Sequence, residues 1–91
     1  MSQAIVDPKE LRDFASSLKQ FDESMDDLIK GLLGRFRNLE GTWRDQEKDK
    51  FAGELEQAVK SLRCFHDQSE EFLKYLDQKA KAIEAYFGHG Y

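Results

Sequence analysis

Three pairs of adjacent carboxylates are the residues of this chain whose types could support acid–base or metal chemistry. Helical periodicity in the surrounding sequence places all three pairs on polar helix faces, among lysines and arginines. Charged faces of this kind are typically exposed to solvent, so the sequence predicts a solvated surface rather than a reactive site. The pairs are Asp22/Glu23, Asp26/Asp27 and Glu70/Glu71.

The histidines and the cysteine do not have the spacing of a metal site. Helical di-metal sites use Glu-x-x-His, but Arg63 and Tyr86 occupy the positions three residues before His66 and His89. Cys64 and His66 are two residues apart and diverge on a helix, which makes them a poor zinc pair. Cys64 instead lies within an apolar pattern that favours a small buried side chain. We predict no enzyme activity, no metal and no cofactor.

Composition excludes further classes of function. The chain has 91 residues, of which 35% are charged and 40% hydrophobic, and a formal net charge of −4. A mild acidic excess with interleaved signs and no basic stripe argues against binding to nucleic acid or anionic membranes. The first ten residues lack a signal-peptide core, and no apolar run is long enough to cross a membrane. We predict a single domain over residues 1–91 that is made in the cytoplasm.

Apolar residues spaced three and four apart predict a first helix over residues 8–39. Asp7 can accept a backbone N–H as the helix cap, and Pro8 suits the first helical position. The apolar positions follow a heptad seam, which is typical of a helix that packs lengthwise against another. They are Leu11, Phe14, Leu18, Phe21, Met25, Leu28, Leu32, Phe36 and Leu39.

A short turn at residues 40–44 separates this helix from the next. Gly41 suits the left-handed conformation that ends many helices, and Thr42 or Asp45 can cap the helix that follows. A connection of about five residues allows only antiparallel neighbours. The predicted fold is therefore all-α, an antiparallel two-helix hairpin.

A second seam predicts a helix over residues 45–87, with a tail at 88–91. Gln68 and Ser69 are polar where the seam calls for an apolar residue. This helix is longer than the first, so the part after about Leu76 is predicted to project beyond the start of the first helix. The seam positions are Phe51, Leu55, Ala58, Val59, Leu62, Phe65, Phe72, Leu76, Ala80, Ile83 and Phe87.

The apolar stripes are wider than one antiparallel contact can cover. A second hairpin would cover the remainder and complete a four-helix bundle, in which the chain is either a homodimer or a heterodimer. The predicted partner interface consists of Leu18, Phe21, Met25, Leu28, Ile29, Leu32, Leu33, Phe36, Leu55, Val59, Leu62, Phe65 and Phe72.

The only tryptophan, Trp43, lies in the turn and has two interpretations. It could close the end of the hairpin by folding onto Leu39 and Phe51, or it could be recognised by another protein. A tryptophan in a short turn between two long helices, followed eight residues later by an aromatic residue, resembles the WXG family. These are ESAT-like helical hairpins exported by type VII secretion systems, and the resemblance covers the whole chain.

Two positions depart from the pattern of this family. The glycine two residues after the tryptophan is Asp45 here, and its side chain is predicted to cap the second helix. Family members with an export signal carry Tyr-x-x-x-Asp/Glu near the end of the second helix. The candidate segments here run from Tyr75 to Lys79 and from Tyr86 to Gly90, and neither ends in a carboxylate.

The resemblance implies a type VII secretion substrate, or a co-secreted partner, that acts by protein binding. Its partners would be another WXG-like hairpin and the secretion ATPase, and it would leave the cytoplasm without a cleavable signal peptide. The alternative is a cytosolic helical adaptor or targeting chaperone that clamps the N-terminal helices of a larger toxin and is not itself exported. The turn motif Trp43, Asp45 and Phe51 and the segment containing Tyr75, Lys79 and Tyr86 are the candidate recognition sites.

Overall fold

Two antiparallel α-helices form a long hairpin in the computed structural model, which describes residues 6–88. The first helix, α1, spans Pro8–Glu40 and the second, α2, spans Glu47–Gly88, with no strand in this range. The hairpin measures 68 × 24 × 15 Å, and its radius of gyration is 20.3 Å. A globular chain of this length would have a radius of gyration of about 12 Å. The predicted all-α hairpin is confirmed, and no helix is long and apolar enough to cross a membrane within residues 6–88.

The start of α1 follows from its capping residues. The Asp7 side chain accepts a hydrogen bond from the backbone N–H of Lys9 at 2.9 Å, and Pro8 opens the helix. The end of α1 differs from the prediction, because Gly41 has φ −63° and ψ −23° and is not left-handed. The backbone N–H groups of Thr42 and Trp43 donate to the Leu39 carbonyl at 3.0 and 2.9 Å, so the turn closes without a positive φ angle.

The hydrophobic core is thin and lies between the two helices. Met25, Ile29 and Val59 are buried at its centre. These three residues belong to the predicted partner interface, and within the hairpin most of their surface is covered by the contact between the two helices. Half-buried apolar side chains surround the centre, namely Leu33, Leu55 and Phe65.

A polar pair, Asp22 and Ser69, is buried within the same contact. Asp22 is 5% exposed and Ser69 is fully buried, and the Ser69 hydroxyl donates a hydrogen bond to Asp22 Oδ2. The predicted solvated position of Asp22 is wrong. Asp22 lies four residues after Leu18 and three before Met25, so it falls on the seam despite its polarity.

Two other side chains of α2 lie outside the contact with α1. Cys64, predicted to be buried, is exposed, because it immediately precedes seam residue Phe65 and points away from α1. Gln68 is also exposed, so of the two polar interruptions only Ser69 lies between the helices.

Charged side chains join the start of α1 to the end of α2. Arg12 binds Glu84 through Nε and Nη2 at 2.9 and 2.7 Å, and its Nη1 lies 3.3 Å from Asp77 Oδ1. Ala80, between these two carboxylates, is fully buried. The part of α2 from Asp77 to Glu84 therefore lies alongside α1. The predicted projection after Leu76 is wrong, and α2 extends beyond this contact only after Glu84.

Acidification is expected to loosen this end of α2. The pKa of Glu84 is lowered chiefly by its hydrogen bonds with Arg12, and that of Asp77 first by Lys81 and then by Arg12. A carboxylate with a lowered folded-state pKa stabilises the fold above its unfolded pKa and loses that contribution as the pH falls through the folded value. The stabilisation should be complete at neutral pH and lost progressively below about pH 4.5.

Amide hydrogen-exchange protection factors for residues 80–88 test this expectation. Protection in the wild-type chain at about pH 3.5 should approach that of Arg12→Gln at neutral pH. Arg35→Gln, which removes a charge of the same sign elsewhere on α1, is the control and should leave these residues protected. Equal protection of residues 80–88 in Arg12→Gln and wild type at neutral pH would contradict the role of Arg12.

Candidate functional site

Aromatic side chains cluster at the turn end of the hairpin. The ring centroids of Trp43 and Phe51 are 5.6 Å apart, and those of Phe36 and Phe51 are 5.7 Å apart. Trp43 is half-buried, so one part of the indole packs on Phe51 while another part faces solvent. We call Phe36, Trp43, Asp45 and Phe51 the turn cluster. Its geometry agrees with closure of the hairpin end and also leaves indole surface open to a partner.

Asp45 organises the turn cluster through a single carboxylate oxygen. Asp45 Oδ1 accepts a hydrogen bond from Trp43 Nε1–H at 2.8 Å and another from the backbone N–H of Glu47 at 2.9 Å. The second bond caps α2, as the sequence predicts. The first bond was not predicted, although a carboxylate two residues after a tryptophan in a turn is the signal that could have revealed it. This carboxylate therefore both starts α2 and holds the indole in place.

Replacing Asp45 by alanine is expected to lower the free energy of unfolding by about 1 kcal/mol, the usual cost of a lost helix cap. The indole should also lose its fixed orientation, which changes its fluorescence emission. Because Trp43 is the only tryptophan, fluorescence excited selectively in tryptophan reports on this site alone. Asp45→Asn retains an acceptor oxygen and should change both quantities less.

Asp49→Ala is the matched control for this variant. It removes a carboxylate of the same charge from the first turn of α2, and the Asp49 side chain is highly exposed. It should leave the fluorescence of Trp43 unchanged. The same spectral change in both variants would show that the effect arises from charge and not from the bond to the indole.

Exposed apolar side chains form a continuous surface along one side of the hairpin. Phe14, Phe21 and Leu28 are seven residues apart and so lie on one side of α1. Phe21 meets Phe65 of α2 edge-to-face, with ring centroids 5.9 Å apart, which brings the stripes of both helices to the same side. We call this surface the apolar face; its exposed members are Phe14, Phe21, Leu28, Leu32, Leu62 and Phe72.

A groove runs along the centre of the apolar face. Phe21, Leu28 and Leu32 of α1 and Leu62 of α2 line it, and its volume is about 340 Å³. Leu28 is 72% exposed, so the hairpin leaves most of this apolar side chain uncovered although its own hydrophobic core is small. The remaining predicted interface residues are half-buried and lie closer to the contact between the helices; they are Leu18, Leu33, Phe36, Leu55 and Phe65.

The candidate signal residues lie on α2, outside the hydrophobic core. Tyr75 and Tyr86 are 60% and 81% exposed, and Lys79 between them is half-buried. The ring of Tyr86 meets that of Phe87 edge-to-face, with centroids 4.8 Å apart. The segment from Tyr86 is helical as far as Gly88, and the rest of it, including His89, lies outside the described residues.

Charged side chains line the polar side of the hairpin. Asp26, Arg63, His66 and Asp67 line a shallow hollow there, and the pKa of Asp26 is lowered mainly by its hydrogen bond with Lys30. Across residues 6–88 no group of three or more His, Cys, Asp or Glu side chains is placed to hold a metal ion.

A small helical-hairpin protein with an aromatic turn and an apolar face is the class that the fold and these surfaces define. The model of the WXG100 family, described as proteins of 100 residues with WXG, matches residues 3–86. The chain therefore belongs to the WXG family, which confirms the resemblance seen in the sequence. Comparisons with curated proteins and with solved structures found no match.

Proposed function

We propose that this chain is a substrate or co-secreted partner of a type VII secretion system and that it works by binding a second helical hairpin through the apolar face. The observation that carries the pairing is the exposure of Phe21, Leu28 and Leu32 on one side of a hairpin with little core of its own. Family membership supports the link to secretion.

The accessible surface of the chain supports the need for a partner. It amounts to 7446 Å², whereas a compact monomer of this mass would expose about 5,500 Å². The excess of about 2,000 Å² is larger than the area of about 800 Å² that each partner buries in a standard interface. Pairing through the apolar face would bury a large part of this excess and form a four-helix bundle.

Such pairing leaves both ends of the hairpin accessible. Trp43 lies at the turn end, and Tyr86 lies at the opposite end of a molecule 68 Å long. A bundle formed along the sides can therefore present the turn cluster and the end of α2 to further proteins, such as the secretion ATPase. The second hairpin is a copy of this chain or a different WXG-like chain, since either can cover an apolar stripe.

The lack of a carboxylate four residues after Tyr75 or Tyr86 bears on how the chain is exported. The fourth residue after each is Lys79 or Gly90, where signal-bearing family members have Asp or Glu. We propose that the chain travels from the cytoplasm with a partner that carries the signal, without a cleavable signal peptide.

The same feature favours an alternative in which the chain is never exported. It would then be a cytosolic adaptor or targeting chaperone whose apolar face covers the N-terminal helices of a larger toxin. Both proposals use the same binding surface. They differ in where the chain is found after the complex reaches the secretion machinery.

Export from the native host separates the two proposals. An epitope-tagged chain should appear in the medium of wild-type cells and stay in cells that lack the secretion ATPase, while a cytosolic marker excludes lysis. Retention in wild-type cells, with the toxin or partner exported normally, would contradict the secretion proposal and support the adaptor.

A truncation that preserves the fold tests the end of α2 in the same assay. Removing residues 85–91 leaves Arg12 bound to Glu84, whereas removing residues 77–91 also deletes the buried Ala80. Because the partner carries the export signal, the shorter deletion should leave both pairing and export intact. Loss of export while pairing persists would contradict a partner-borne signal and would assign the signal to the end of α2.

A further inference from the structure

A second groove lies near the turn, on the side of the hairpin away from the apolar face. Its floor is formed by Leu33 and Phe36 of α1 and by Leu55 and Val59 of α2, and its volume is about 550 Å³. Leu33 follows the apolar-face residue Leu32, so its side chain points about 100° around the helix from it. We call this the turn-end groove. It would stay open when the apolar face is covered.

Acidic side chains dominate the rim of the turn-end groove. Glu40, Asp49 and Glu56 carry three negative charges there, against one positive charge from Arg37. Among residues 6–88, neither Glu40 nor Glu56 takes part in an ion pair, and Asp49 is 3.9 Å from the Lys48 ammonium. An apolar floor with a net negative rim is complementary to an apolar segment flanked by positive charges.

Gly53 leaves the turn-end groove open on the α2 side. A Cβ atom at this position would have no neighbour within 4 Å, so nothing inside the hairpin fills the space. Ala52 beside it is small and half-buried. The backbone of an incoming helix can therefore come close to α2 at this point. On α1 the groove lining runs from Leu33 to Glu40, seven residue steps or about 10 Å, which matches two turns of a helix.

We propose that the turn-end groove binds a positively charged amphipathic helix from a third protein, with two or three apolar side chains on the floor and Lys or Arg at the rim. Apolar residues spaced i, i+3 or i+4, and i+7 would fit its length. This site goes beyond pairing through the apolar face, and it holds whether or not the chain is exported.

Fluorescence anisotropy with a defined peptide tests the site on the full chain. The probe is a labelled 18-residue helical peptide with leucine on one face and lysine at the flanking positions, and the comparison peptide has glutamate in place of lysine. Glu40→Lys with Glu56→Lys should weaken binding of the lysine peptide at least about tenfold at low salt. Glu23→Lys with Glu70→Lys changes the net charge equally outside the groove and should weaken it less than about twofold.

Filling the groove tests its shape independently of its charge. Gly53→Leu should also weaken binding at least about tenfold, whereas Gly34→Leu, at an equally open helical glycine outside the groove, should not. Circular dichroism establishes that each variant remains helical. The proposal would be overturned if both charge-reversal variants weakened peptide binding equally, or if Gly53→Leu bound the peptide as the wild-type chain does. It would also be overturned if Phe21→Glu with Leu28→Glu abolished binding, because the peptide would then lie on the apolar face.

Discussion

Replacing Phe21 and Leu28 by glutamate is expected to weaken association of the hairpin with its partner by roughly 1000-fold, or about 4 kcal/mol. Both side chains are more than half exposed in the single hairpin, so they contribute little to its own core. In a four-helix bundle they would lie at the centre of the interface, where two carboxylates would have no partner. Sedimentation velocity measures the loss, against a second copy or against the hairpin with which the chain pairs.

Ser16→Glu with Gln20→Glu is the matched control for this double variant. It adds the same charge to the same helix at exposed polar positions. It should pair as the wild-type chain does, and circular dichroism should show both variants to be helical. Equal weakening in the control would mean that general repulsion, and not burial of the apolar face, explains the loss.

The second large effect is expected at the buried polar pair. Ser69→Ala should lower the free energy of unfolding by about 2–3 kcal/mol, because it leaves a buried carboxyl group without a donor. Asp22 Oδ2 accepts its hydrogen bond from Ser69, and Asp22 Oδ1 is buried without a partner among the described residues. Urea denaturation at a fixed chain concentration gives the difference, since pairing makes stability depend on concentration.

A double variant separates loss of the hydrogen bond from loss of volume. Asp22→Leu with Ser69→Ala replaces the polar pair with apolar groups and should recover most of the stability lost in Ser69→Ala. Ser61→Ala, at an exposed position of α2, is the control and should have little effect. A double variant no more stable than Ser69→Ala would contradict the view that an unpartnered buried carboxyl group causes the loss.

Local sequence rules accounted for most of the hairpin. Asp7 and Pro8 specify the start of α1 through chemistry that involves only neighbouring residues, and the three-and-four spacing specifies which side of each helix is apolar. The cap at Asp45 follows the same logic. These predictions succeeded because each depends on contacts within one or two turns of the chain.

Residue type and residue position disagree at the two places where the structure differs from the predicted burial. The charge of Asp22 predicts a solvated side chain, but its spacing from Leu18 and Met25 places it on the seam, where it is buried. The apolar character of Cys64 predicts an interior position, but the residue lies off the seam and is exposed. The extent of the C-terminal projection depended on Arg12 reaching Glu84, a contact across 72 residues that no local pattern reveals.

The candidate site could be predicted only in part, because some of its contacts depend on how the two helices pack and not on local sequence. Heptad spacing identified the apolar stripe, but it could not divide that stripe between residues that the hairpin covers, such as Ile29, and residues that it leaves open, such as Leu28. That division depends on how the two helices rotate against each other. The bond from Trp43 to Asp45 depends in the same way on the path of the turn.

Sedimentation equilibrium of the purified chain, with far-ultraviolet circular dichroism on the same samples over a wide concentration range, tests the central claim that the apolar face needs a second hairpin. We expect a helical dimer of twice 10.6 kDa, or a chain that becomes fully helical only when its partner hairpin is added. A chain that remains monomeric, fully helical and soluble at about 100 μM, with or without such a partner, would contradict the claim.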